Sequence, residues 1–209
     1  MAAKAPHGVR ALTAVLALTM ALAVPMRMAA AQAPPAKAIT GEVQAFLATR
    51  AKKLDALFQA LQAAATRTEA QEITAEIWRQ WTQSGRDDVD TLMLQAAAAM
   101  STRNYGLATL LLDEVVDEAP DFSEGWNRRA TLRYTMGDHA GSLADIDKTL
   151  ALEPRHFGAL AGQGLIHRTA GRWKEALASY RAALPYYRFN ADMITLVRDL
   201  EKQVEGQKL

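Results

Sequence analysis

The chain has 209 residues and no cysteine, which excludes disulfides, thiolate metal sites, a cysteine nucleophile and a lipid anchor on an N-terminal cysteine. The length suffices for one domain with a real core or for a short repeat array. Glycine and proline are sparse, alanine is abundant, and Val, Ile and Thr form no alternating runs, so helix is favoured over strand and the formal charge is only +1.

The N-terminus reads as an export signal. Lys4 and Arg10 supply a positive start, and Ala11 to Val24 is an uncharged apolar run broken by Pro25. Ala29 and Ala31 match the small-residue cleavage pattern, placing the cut between Ala31 and Gln32. The run has 14 residues, whereas a bilayer span needs about 20. The expected location is therefore periplasmic or secreted, with no stable membrane insertion after cleavage. An uncleaved anchor is the alternative. Removing residues 1–31 deletes Lys4, Arg10 and Arg27 from the 24 basic residues and no acid, leaving 21 against 23, or −2. That balance argues against nucleic acid as a partner, which needs a basic stripe to neutralise phosphates.

Residues 32–41, with Pro34 and Pro35, read as a flexible leader. Residues 42–88 follow as a helix pair. Val43, Phe46, Leu47, Leu54, Leu57, Phe58 and Leu61 keep helical spacing in the first helix. Thr68 with Gln71 offers a capping box for the second, which carries Ile73, Ile77, Trp78 and Trp81. Phe58, Leu61, Ala65, Trp78 and Trp81 keep a loose 34-residue phase. This predicts a degenerate copy of the following repeat, serving as an N-terminal cap.

From residue 89 the phase is strict. Leu92, Trp126 and Leu160 are 34 residues apart, as are Arg103, Gly137 and Gly171, and Ala108, Ser142 and Ala176. Pro120 and Pro154 keep the same register. The predicted units are 89–122, 123–156 and 157–190, with a last helix and tail over 191–209. Each unit splits into two amphipathic helices. In the middle one Ser123 is placed to cap the first helix, Gly137-Asp138 to turn the chain, and Glu153-Pro154 to end the second. In the first unit, which lacks the turn glycine, Asn104 carries the turn or cap. Small residues let the two helices approach: Ala96, Ala130 and Gly164 on the first helices face Ala108, Ser142 and Ala176 on the second. A single pair cannot bury both of its apolar sides, so neighbours must stack.

Candidate chemistry is thin. His139, Ser142 and Asp145 share one helix side, but a nucleophile and its base normally come from separate elements, and Ser142 already serves as a packing residue. Gly158, Gly162 and Gly164 lack the preceding strand of a dinucleotide loop. No two histidines have the spacing of a zinc helix. His156 and His167 read as surface or packing residues. Asp113, Glu114, Asp117 and Glu118 read as a solvated helix face. No catalytic residue, cofactor or metal is expected.

The pattern of Trp126, Ala130, Gly137, Leu143, Leu150 and Pro154 resembles the tetratricopeptide repeat (TPR) family. It departs at Arg133 and His167, where a tyrosine is usual, at Arg103 for glycine, and at Arg188 for the closing proline. The resemblance implies an all-α, right-handed solenoid of antiparallel helix pairs with a C-terminal capping helix. It also implies a concave groove, lined by the first helices, that holds a peptide or partner protein. By that analogy the groove carries Met93, Met100, Asn127, Thr131, Tyr134, Leu165 and Arg168, with Arg128 at its edge. The alternatives are a structural homo-oligomer, self-associating through the Trp78/Trp81 end or the last helix, and an accessory of cell-wall or secretion machinery.

Overall fold

The computed structural model describes residues 40–206. The signal segment, its cleavage site and most of the leader lie outside these residues. All regular structure among the described residues is helical: α1 (Gly41–Ala63), α2 (Arg67–Trp81), α3 (Asp87–Ser101), α4 (Tyr105–Glu118), α5 (Ser123–Thr135), α6 (His139–Leu152), α7 (Phe157–Thr169), α8 (Trp173–Ala183), a 3-10 turn (Leu184–Tyr186) and α9 (Ala191–Gly206).

The pairs α3/α4, α5/α6 and α7/α8 are antiparallel hairpins, and α4 packs on α5, α6 on α7 and α8 on α9. The small-residue slots are as tight as the spacing requires. Ala96, Ala108, Ala130, Ser142 and Ala176 are buried, and the Ser142 hydroxyl donates to the Ala130 carbonyl at 2.8 Å. A side chain at Gly164 would start 2.9 Å from the Tyr180 ring. The turns inside the pairs repeat as well. Gly137 and Gly171 take φ of +84° and +71°. Arg103 takes +58° in the first unit, a conformation that costs a non-glycine residue energy. Asn104 and Asp138 then cap α4 and α6 through the amides of Leu107 and Gly141.

Two expected caps fall elsewhere. Ser123 is the first residue of α5 and is buried, and no side chain caps that helix. The capping box of α2 lies two residues before Thr68. Thr66 accepts from the Glu69 amide, and the Glu69 carboxylate accepts from the Ala65 amide at 2.8 Å. A carboxylate is a stronger acceptor for these orphan donors than the Gln71 amide would be.

A buried charge cluster ties three helices together. Asp145 on α6, 2% exposed, accepts two bonds from Arg129 on α5, at 3.0 and 2.9 Å. Arg133 reaches it at 3.0 Å, and Arg129 extends to Asp113 on α4 at 2.8 Å.

The helix pair over 42–88 forms, but its placement is not that of a fourth stacked unit. Its core joins Leu54, Phe58, Leu61, Ile77 and Trp81 to Phe157 of the third unit, with Tyr186, Tyr187 and Phe189 packed around it. Helix α1 follows the edge of the solenoid where one unit passes to the next. Residues 47–54 border Asp121 and Ser123. Asp55 pairs with Arg155 at 2.7 Å. Phe58 meets Tyr186 edge-on at 5.3 Å, and the Ala64 carbonyl accepts from Arg188. Asp121, Arg155 and Phe189 are themselves 34 residues apart, so the surroundings of the N-terminal pair fall along one edge of the repeat. Its 23 residues span about 35 Å at the helical rise. Helix α2 returns antiparallel and lays Trp78 against Gly158. The aromatic side chains explain the placement, because the apolar stripe of α1 and α2 is too bulky for the small-residue slots of a stacked pair.

Two variants test this frame. Asp145→Ala should cost about 3 kcal/mol, because it leaves Arg129 and Arg133 without their shared buried carboxylate; urea unfolding measures it. Gly158→Leu puts a side chain where the Trp78 ring stands, with a Cβ contact of 2.7 Å. It should speed amide exchange in α1 and α2 by roughly tenfold through overpacking while leaving α3 to α6 unchanged.

Candidate functional site

The first helices α3, α5 and α7 line one face of the stack. Between α5 and α7 this face opens into a cavity of about 150 Å³, lined by Asn127, Thr131 and Tyr134 on one side and Gly158, Gly162 and Leu165 on the other, with Ser142 and Ile146 of α6 also contributing. Gly162 leaves the space open: a Cβ there would lie 3.7 Å from Ile146. Tyr134 is held by stacking on His139 at 5.2 Å. Thr131 is exposed, and its hydroxyl donates to the Asn127 carbonyl at 3.0 Å.

Four of the eight expected groove residues therefore meet: Asn127, Thr131, Tyr134 and Leu165. The others do not. Met93 is 8% exposed and belongs to the core formed by α3, α4 and Leu132. Met100 packs on the same core. Their long apolar side chains are drawn into the contact with the next unit, as α4 and α5 press together there. Arg168 is exposed and lies outside the cavity. Arg128 is bound to Glu124 at 2.8 Å, so its charge is already answered. The residues His139, Ser142 and Asp145 are likewise committed, to Tyr134, the Ala130 carbonyl and the two arginines.

Beside the cavity lies a buried polar centre absent from the residue pattern. Glu124 is 0% exposed. Its Oε2 accepts from Asn127 at 2.8 Å and lies 3.1 Å from His156 Nε2, and its Oε1 accepts from Arg128. His156 is equally buried and caps α7, its Nδ1 accepting from the Ala159 amide at 3.2 Å. With Nδ1 an acceptor, the ring proton sits on Nε2 and donates to Glu124. The opposite face of the ring system stacks on Trp81 of α2, 4.0 Å away and 11° from parallel. Burial pushes the Glu124 carboxyl up, but the hydrogen bond from His156, the charge of Arg128 and the hydrogen bond from Asn127 outweigh it and hold the group below the ordinary carboxylate range. One signal in the sequence pointed here: an acid followed at i+3 and i+4 by Asn127 and Arg128.

Stacked antiparallel helix pairs with a small-residue seam, a shared turn and an open face on the first helices define an α-solenoid of the helix-repeat class. The chain belongs to the TPR family. It is 34% identical over 157 residues to a TPR repeat-containing protein of Rhizobium etli, covering 75% of this chain and 77% of that one. No family model matches the chain. Among solved structures, the fold is similar to the first TPR of Spaghetti (RPAP3) bound to an HSP90 peptide, with a TM-score of 0.52 and 16% identity, over 56% of this chain and 93% of that one. It is also similar to the Sgt2 TPR domain of Aspergillus fumigatus, with a TM-score of 0.52 and 20% identity, over 59% of this chain and 83% of that one. The TPR2B domain of yeast Sti1, in a complex with pHsp70, gives a TM-score of 0.50 at 16% identity, over 55% of this chain and 97% of that one.

A carboxyl held below its unfolded value stabilises the fold above that value, and the contribution is lost as pH falls through the folded pKa. The melting temperature should therefore drop on acidification below the ordinary carboxylate range. Glu124→Gln should be less stable than the parent at neutral pH, by about 1–3 kcal/mol, and should lose part of that acid dependence. Thermal melts between neutral pH and pH ~3 measure both effects; parallel curves for parent and variant would show that Glu124 is not a stabilising anion.

Proposed function

We propose that the chain is a non-enzymatic adaptor of the bacterial periplasm that holds a peptide or partner protein on the concave face between α5 and α7. The observation that carries this reading is the cavity between Asn127, Thr131 and Tyr134 on α5 and Leu165 on α7. Its size, about 150 Å³, matches a space that takes a benzene-sized group. It suits one apolar anchor side chain, while Asn127 and Tyr134 supply polar atoms for the peptide backbone. The similar Spaghetti and Sti1 domains are described with an HSP90 peptide and with pHsp70, which supports a peptide as the occupant here. Helix α2 covers the Gly158 end of the face, so the segment bound is short. Residues 1–31 supply the export signal in this reading, on the strength of Lys4, Arg10, the apolar run and Ala29/Ala31.

A second reading, self-association, has one observation in its favour. Leu94 and Leu110 of the first unit are 74% and 69% exposed, because the N-terminal pair does not cover that edge. The Trp78/Trp81 end is a poorer candidate, since Trp81 is only 2% exposed.

The test is crosslinking and capture from envelope extract with the parent and with Thr131→Arg. This residue is exposed, so the variant should fold normally while filling the cavity. A single partner captured by the parent and lost with the variant is the expected result. Capture of the same partner by both would remove the groove. Recovery of the protein alone, with a mass that rises with concentration, would favour self-association. N-terminal sequencing of the exported protein should begin at Gln32; a start at Met1 would remove the cleaved signal.

A further inference from the structure

We propose that a second site, between α2 and the connection from α8 to α9, takes the C-terminal residue of a peptide that ends in an aromatic side chain and a free carboxylate. It goes beyond the concave face and does not depend on it. The cavity there measures about 540 Å³, within the range of about 300–1,000 Å³ usual for ligand pockets.

Its wall is aromatic. Trp78, Tyr186, Tyr187 and Phe189 all line it, and each is only half-buried. The 3-10 turn after α8 presses Tyr186 and Tyr187 against Phe58 and Phe157, and Phe157 in turn meets Trp78, which gathers these rings on one wall. Half-exposed aromatic rings on a rigid turn give a large, preformed contact surface for another ring.

The mouth is positive. Arg67 and Arg188 line it. Arg67 makes no hydrogen bond or ion pair among the described residues. Arg188 donates to the Ala64 carbonyl and lies over the Phe189 ring at 4.7 Å, and no carboxylate among the described residues pairs with it. The first turns of α2 and α9 open onto the same space, but Thr66, Glu69 and Asn190 already cap their amides, so the two arginines carry the positive charge. Asp192 is the one acid in the lining, and it pairs with neither arginine. It restricts the site to a single carboxylate and disfavours an acidic side chain beside it. Gln71 supplies its amide for the adjoining peptide bond, and Asn190 only its Nδ2, since its Oδ1 accepts from the Met193 amide. A guanidinium pair beside an aromatic wall selects a carboxylate and a ring on neighbouring atoms, which is the chemistry of a terminal phenylalanine.

The test titrates the full-length protein with acetyl-glycyl-alanyl-phenylalanine and with its C-terminal amide, by calorimetry and by the emission of Trp78. The free acid should saturate, and the amide should bind about ten- to hundredfold more weakly, as expected for loss of charge-assisted hydrogen bonds. Arg67→Gln touches no internal partner, so it should fold normally and weaken the acid about tenfold. Asp192→Asn should tighten it. Thr131→Arg, in the other cavity, should change nothing. Equal binding of acid and amide, no saturation at millimolar peptide, no effect of Arg67→Gln, or loss of binding with Thr131→Arg would each overturn the proposal.

Discussion

One imidazole joins the three parts of this molecule. His156 ends the connection between the second and third units, caps α7 with one nitrogen and bonds the buried Glu124 of α5 with the other. Its ring plane carries Trp81 of α2. A carboxylate with no exposure is tolerable only when its lone pairs are answered, and here Asn127, Arg128 and His156 answer them. The neighbouring first helices, the N-terminal pair and the edge of the concave face are therefore positioned by one polar contact set. A solenoid is usually held by apolar seams between neighbours alone.

The same contact set shapes the concave face. Arg128, which by analogy should sit at the ligand's edge, is tied to Glu124 instead, and Asn127 gives its Nδ2 to Glu124 while still bordering the cavity. Trp78 occupies the Gly158 end. What is left open is a compact recess rather than a long channel. The polar atoms around it are preorganised by internal bonds, which lowers the ordering cost on binding.

The repeat was legible because it rests on local requirements that the amino-acid order displays directly: small residues in the helix seam, a left-handed residue at each turn, and a 34-residue phase. Even Arg103 obeyed the turn geometry without glycine. The caps of α2 and α5 were less legible, since several hydroxyl and acid residues compete within two or three positions. The docking of α1 and α2 was not legible at all. Periodicity shows that Phe58, Trp78 and Trp81 face inward, but not which surface they meet, and Phe157, Tyr186 and Tyr187 lie roughly a hundred residues away. Glu124 escaped for a related reason. Acids at the start of a helix are common on surfaces, and only the arrival of α2 and His156 from elsewhere removes this one from water. Met93 and Met100 show the converse, being flexible enough to serve a groove or a core, with the neighbouring unit deciding.

Helix α1 makes direct contacts with two successive inter-unit connections, at Arg155 through Asp55 and Phe58 and at Tyr186 through Phe58. A stack of repeats held only by nearest neighbours behaves as a soft spring, and it can fray from either end one unit at a time. A rigid rod fastened at two points along its side acts as a stay on that spring. It ties the start of the third unit to the connection that follows it. Such long-range fastening raises the average sequence separation of contacts, which slows folding.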